Sequence, residues 1–173
     1  MTLKSKLLHG SGPEWESNTT DRVCADFEQF KRLMDYFYSE NSRLSHRATL
    51  IILKVGKRKP NWLQEQVPKM VDTLDEALPH WYKRNLLRIL QFQQIPESHW
   101  GHAADQCFKY LESGETPVAV KVFSMTVIYR LTKALPELAN ELQLLIEDQY
   151  PLGSPGFKAR GRRILGQLSK DGH

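Results

Sequence analysis

Four basic residues, Arg47, Arg84, Lys121 and Lys158, recur at intervals of 37 positions, each near the start of an apolar helical run that follows another helical run. A period of that length marks stacked helical hairpins, in which no unit can bury its apolar face without a neighbour. Other columns keep the same step: Met34, Val71, Phe108 and Leu145; Leu33, Met70, Cys107 and Leu144; Leu53, Leu90, Val127 and Ile164. The first two columns lie upstream of the basic position and the third downstream, as expected if an outer and an inner helix each bury a stripe. Two columns depart from the pattern. Phe37, Leu74 and Leu111 are followed by Asp148, and Ile51, Arg88, Met125 and Arg162 alternate apolar with basic. A more polar final unit is what a capping repeat requires.

The period predicts helical pairs at 25–39 with 43–57, 61–76 with 80–94, 97–113 with 117–134, and 136–149 with 155–168. Pro60, Pro96 and Pro136 fall where one helix ends and the next begins, a position that suits proline's fixed φ and missing N–H. Pro79, Pro117 and Pro155 mark the starts of inner helices, and Ser42 or Ser45 is expected to cap the first of them. No alternating β-branched run is bounded by hairpin-turn residues, so no sheet is predicted. Residues 1–22 hold Gly, Ser, Pro, Asn and Thr without a helical period and read as a loosely ordered arm, leaving 23–173 as a single all-α domain. A chain of 173 residues with 40% hydrophobic content buries roughly 70% of its unfolded surface as one domain. No stretch approaches the roughly 20 apolar residues of a membrane span. Leu7 and Leu8 are followed at once by Gly10, Gly12 and Pro13, which argues against a secretory leader. A cytoplasmic protein with Cys24 and Cys107 as free thiols is expected.

The stretches "YKRNLLRILQF" at 82–92, "ETPVAVKVFSMTVIYRL" at 115–131 and "PELANELQLLIEDQYPLGSPGFKARGRRIL" at 136–165 resemble the HEAT-like α-solenoids, whose units pair two antiparallel helices with an Arg or Lys early in the second. More narrowly, they are similar to a group of uncharacterised bacterial HEAT-repeat proteins. The resemblance covers about residues 25–168 and implies a right-handed α-α superhelix, HEAT/armadillo-like, of about four hairpins. Members of the group sometimes carry the name of a purine-pathway lyase, adenylosuccinate lyase. That enzyme is much larger and has a flexible Ser-rich catalytic loop, and neither feature is present. Typical HEAT units place an Asp about six residues before the second-helix Arg, whereas here those positions are Asn41, Leu78, Glu115 and Leu152.

Two roles are open to the basic column. Each cation can tie hairpin to hairpin, with the column nine residues earlier (Tyr38, Asp75, Glu112 and Gln149) offering acceptors and two carboxylates to neutralise the middle rungs. Alternatively, stacked inner helices about 8 to 10 Å apart line the cations along a concave face. Within a Debye length of about 8 Å such charges reinforce one another. Arg88 and Arg162, one turn beyond Arg84 and Lys158, have no evident partner in sequence. Lys54, Lys57, Arg58 and Lys59 close a helix, where the dipole favours cations, but Lys158, Arg160, Arg162 and Arg163 open one, where it opposes them.

The candidate binding residues are therefore Arg47, Arg84, Arg88, Lys121, Lys158, Arg160, Arg162 and Arg163. They suit an acidic protein or peptide partner on the inner helices, with nucleic acid as the alternative. Trp62 and Trp100 hold nearly equivalent places in outer helices and read as packing ridges. Resemblance to HEAT-like DNA glycosylases is thus architectural only, since those enzymes also need an acid facing the lesion cleft. His99, His102 and Asp105 recur at intervals of three but lack a metal-binding motif. Ser98 beside His99 is adjacency, because neighbours on an α-helix point about 100° apart. No cofactor and no catalytic residue are expected, and a non-enzymatic scaffold is the reading.

Overall fold

A computed structural model describes all residues from Met1 to His173 and contains helices and turns without a strand. The chain divides into two compact units, Met1–Val67 and Pro68–His173. The predicted hairpins are present. They comprise α3 (Phe27–Phe37) with α4 (Ser42–Arg58), α8 (Trp100–Glu112) with α9 (Val118–Leu131), α10 (Leu138–Gln149) with α11 (Pro155–Lys170), and α7 (His80–Leu90) as the inner helix of the second pair. A 3-10 turn at Glu97–His99 leads into α8.

The second outer helix departs from its predicted continuous form. It is split into α5 (Pro60–Gln64) and α6 (Val67–Asp72), the latter starting at the boundary between units. Pro68 is the cause: it has no N–H to give the Gln64 carbonyl, and its ring would collide with that carbonyl in a continuous helix.

The N-terminal arm is also different from expectation. Residues 1–22 form α1 (Leu3–His9) and most of α2 (Gly12–Cys24), both packed against α3 and α4. Leu3 and Leu7, one turn apart, are buried, and Pro13 and Glu14 occupy the first turn of α2, where each is favoured. The Gly-Ser-Pro content that suggested a loosely ordered arm is a helix start. Asn41, rather than either serine, caps α4 through its side-chain oxygen, which accepts from the Leu44 N–H at 2.9 Å. Ser45 is fully buried.

The core of the first unit gathers Phe30, Leu33, Phe37, Ile51, Ile52 and Val55 from α3 and α4, all at 0% exposure. Trp62 closes it at one end, edge-on to Phe27 at 4.9 Å between centroids. In the second unit, α9 is apolar around its whole girth and packs against α7, α8, α10 and α11. A helix hydrophobic on every side belongs at the centre of a domain. The first two 37-residue columns are buried except at their last members, Leu144, 57% exposed, and Leu145, part-exposed, whereas in the third column Leu53 is part-exposed and the last member, Ile164, is fully buried. Gly161 lets α11 approach α10, since a Cβ there would lie 2.9 Å from Ile146.

The joint between α1 and α2 is the tightest in the first unit. Trp15 donates its indole N–H to the Lys6 carbonyl at 2.7 Å and lies under the Arg47 guanidinium, 4.1 Å from the ring centroid. A Cβ on Gly10 would fall 1.8 Å from this pinned ring. Gly10→Ala should therefore cost about 1–3 kcal/mol in urea unfolding, the usual penalty for overpacking. A second expectation concerns the thiols. Burial pushes the Cys107 thiol up to about 12, whereas Cys24 is part-exposed. A maleimide at pH 8 should modify Cys24 in the native protein and Cys107 only after denaturation, as read by intact mass.

Candidate functional site

The basic residues do not form one stripe; their partners separate them. Arg47 donates through Nε to the Leu7 carbonyl at 2.9 Å, and Arg43 through Nη2 to the Leu8 carbonyl at 3.0 Å. Together with Trp15 they satisfy three carbonyls at the end of α1. The first rung is thus a helix C-cap, a favourable place for a cation.

Lys121 reaches the end of α10, where its Nζ donates to the Gln149 side-chain oxygen at 2.5 Å. Gln149 in turn donates to the Leu111 carbonyl at the end of α8, at 2.9 Å. Burial lowers the Lys121 ammonium below the usual lysine value. Lys158 lies 6.0 Å from the centre of the Tyr150 ring, and Arg162 donates to the Tyr150 hydroxyl at 3.2 Å. In the second unit, rungs three and four therefore face the end of the last outer helix. The expected neutralisation by Asp75 and Glu112 does not occur. The Asp75 side chain accepts from the Ala77 N–H, and Glu112 is an exposed acid at the end of α8.

Arg160 is an internal tie. One of its terminal nitrogens donates to the Gln91 side-chain oxygen at 3.1 Å, the Val122 carbonyl at 3.1 Å and the Thr126 hydroxyl at 2.7 Å. It thereby links α11 to α9 and to the end of α7. Burial, and secondarily the charge of Arg163, lower its pKa. Of the cluster at the start of α11, only Arg163 is exposed and without a partner. At the end of α4, Lys54 pairs with Glu16 at 2.8 Å and Arg58 pairs with Asp21, so this cluster ties α4 to α2.

Arg84 and Arg88 remain. They sit one turn apart on α7, both half-buried, and neither makes a hydrogen bond, ion pair or ring contact. Trp81 precedes Arg84 by one turn on α7, and Phe92 lies in the turn that follows the helix. Trp81 stacks on Tyr82 at 5.1 Å, and Phe92 is 63% exposed.

Several polar residues that the 37-residue column did not single out carry structural roles. Lys83, 5% exposed, donates to the Glu76 carbonyl at 2.7 Å and lies 4.8 Å from the centre of the Tyr110 ring. Tyr110 donates to the Asp75 carbonyl at 2.7 Å, and desolvation raises its pKa. The Pro79 helix start placed Lys83 in the first turn, but nothing in sequence showed that it turns inward.

The histidines have separate engagements. His102 Nε2 lies 3.0 Å from the Leu74 carbonyl, and Asp105 pairs with Lys109 at 3.1 Å. His99 corrects the adjacency argument. Its Nδ1 lies 2.8 Å from the Ser98 hydroxyl and its Nε2 3.3 Å from Asp72, because the 3-10 turn lets the short serine side chain fold onto the ring. This Ser-His-Asp chain lies at the surface, with the Asp72 side chain 68% exposed. A hydrolytic triad buries its acid and adds oxyanion donors; here the chain links the 3-10 turn to the end of α6.

The division of labour has a measurable consequence. Hydrogen bonds from a charged group contribute about 1.5–3 kcal/mol, so Arg160→Ala should lower stability in urea unfolding by at least that much. Arg163→Ala should stay within about 0.5 kcal/mol, as for surface positions.

No curated protein and no solved structure matches the chain. A family model described as a HEAT repeat domain matches residues 4–168, which includes α1 and α2 as well as the four predicted hairpins. With nearly the whole length matched and helical hairpins throughout both units, the chain belongs to the HEAT repeat family.

Proposed function

We propose that this chain is a non-enzymatic scaffold of the cytoplasm that holds an acidic segment of a partner protein against α7. HEAT repeats generally act as protein-interaction scaffolds. The observation that carries the reading is the pair Arg84 and Arg88. The two arginines are one turn apart, part-exposed and without an acceptor in the chain, which leaves both guanidinium groups free to take a bound carboxylate. Arg and aromatic side chains are the residues on which protein interfaces concentrate their binding energy, and Trp81 and Phe92 flank the pair.

An extended basic stripe for nucleic acid is less well supported. Arg47 and Arg160 are committed to carbonyl, amide and hydroxyl acceptors, Lys121 gives one of its donors to Gln149, and Lys158 and Arg162 turn to Tyr150. Phosphate tracking needs many unpaired cations in series, whereas α7 offers two.

The test places a photo-crosslinking amino acid at position 92, whose side chain is exposed, and identifies captured peptides by mass spectrometry in the native host cells. Capture of a segment rich in Asp and Glu is expected, with a loss of roughly 30-fold or more in the affinity of the corresponding synthetic peptide for the Arg84→Glu, Arg88→Glu variant. Unchanged affinity would overturn the assignment. Tight binding to DNA or RNA at low salt, falling steeply as salt rises, would favour nucleic acid instead.

A further inference from the structure

A second recognition feature lies where α9, the end of α10 and the start of α11 meet. A cavity of about 360 Å³ opens there, with Lys121 and Gln149 on one wall, Ser154 and Phe157 on another, and Val118 and Leu152 at the rim. Its volume is at the low end of the roughly 300–1,000 Å³ of small-ligand sites, enough for one residue and too small for a helix. Lys121 has three N–H donors and uses one on Gln149, and no carboxylate reaches it. The rim is unusually apolar for a surface: Leu152 is 97% exposed and Val118 41% exposed. Helix α11, 16 residues long, starts at this wall with no acidic side chain in its first turn. The cavity also contains Asp148, which opposes a doubly charged anion and leaves a monoanion as the better match.

We infer that this cavity captures the free C-terminal carboxylate of a partner chain ending in an aliphatic residue, with Lys121 on the carboxylate and Val118 and Leu152 against the side chain. One positive group, one opposing acid and an aliphatic rim fit that end group better than a phosphate, which would bring two charges to a single ammonium. The inference concerns a different surface from α7 and does not rest on the role of Arg84 and Arg88.

N-acetyl-leucine mimics such a terminus, and N-acetyl-leucinamide removes only its charge. In a ¹H–¹⁵N titration, N-acetyl-leucine should give saturable shifts at the amides of Lys121, Gln149 and Ser154, and the amide analogue should bind at least about tenfold more weakly. Lys121→Gln should weaken N-acetyl-leucine by about tenfold or more, which is about 1.4 kcal/mol. Leu152→Ser, at a side chain almost wholly in solvent, should also weaken it without disturbing the fold. The Arg84→Glu, Arg88→Glu variant should bind it as the unaltered protein does, so failure here and failure of the α7 reading are separate results. Equal binding of the acid and the amide, absence of saturable shifts at these residues, or tighter binding of inorganic phosphate would each overturn the inference.

Discussion

A helix that ends inside a packed array leaves its last carbonyls without partners in the helix, and a buried carbonyl without a donor is costly. The hairpin joints of this chain meet that requirement with long polar side chains from elsewhere in the same unit. Arg43 and Arg47 close α1, and Gln149 closes α8. Tyr110 and Lys83 take the carbonyls of Asp75 and Glu76 after α6. Arg130 does the same at Gln93, after α7, while Arg160 ties the body of α9, at Val122 and Thr126, to the Gln91 side chain at the end of α7. Several of these bonds span one repeat: Arg130 to Gln93 is 37 residues, and Gln149 to Leu111 and Arg160 to Val122 are 38. Apolar columns bring hairpins together, and these donors fix where along its length each helix meets the next.

The same requirement sorts the charges. A cation within reach of a helix end is committed to it by hydrogen bonding and the helix dipole. A cation out of reach is left for solvent or for another molecule. Arg47 falls in the first group and Arg84, Arg88 and Arg163 in the second, while Arg160 is held by Gln91 and by acceptors in the body of α9. Lys121 stands between them, bonded to a neutral amide and lining a cavity, with donors to spare. Net charge alone could not have made this distinction, since a tied arginine and a free one count equally.

The hairpins were legible because the 37-residue recurrence repeats the same burial in each unit, so Leu33, Met70 and Cys107 are all at 0% exposure. Pro68 splits a helix that the apolar pattern carries straight through, and Pro13 starts a helix within residues whose composition suggested an arm. The site was less legible because the acceptors are backbone carbonyls, which every residue has and no sequence column displays. Asp75 and Glu112 were the visible acceptors, yet the bonds go to Leu7, Leu111 and Val122. Arg84 and Lys121 occupy equivalent positions and differ because Lys121 meets Gln149, while the corresponding residue for Arg84, Glu112, makes no pair with it.

The guanidinium groups of this protein divide into those tied to acceptors within the chain and those without one. Hydrogen exchange of the arginine side-chain N–H groups, followed by ¹⁵N NMR on the free protein, reads that division directly. Slow exchange is expected for Arg47 and Arg160, and fast, solvent-like exchange for Arg84, Arg88 and Arg163. Protection of Arg84 and Arg88 equal to that of Arg160, or free exchange of Arg47 and Arg160, would contradict it.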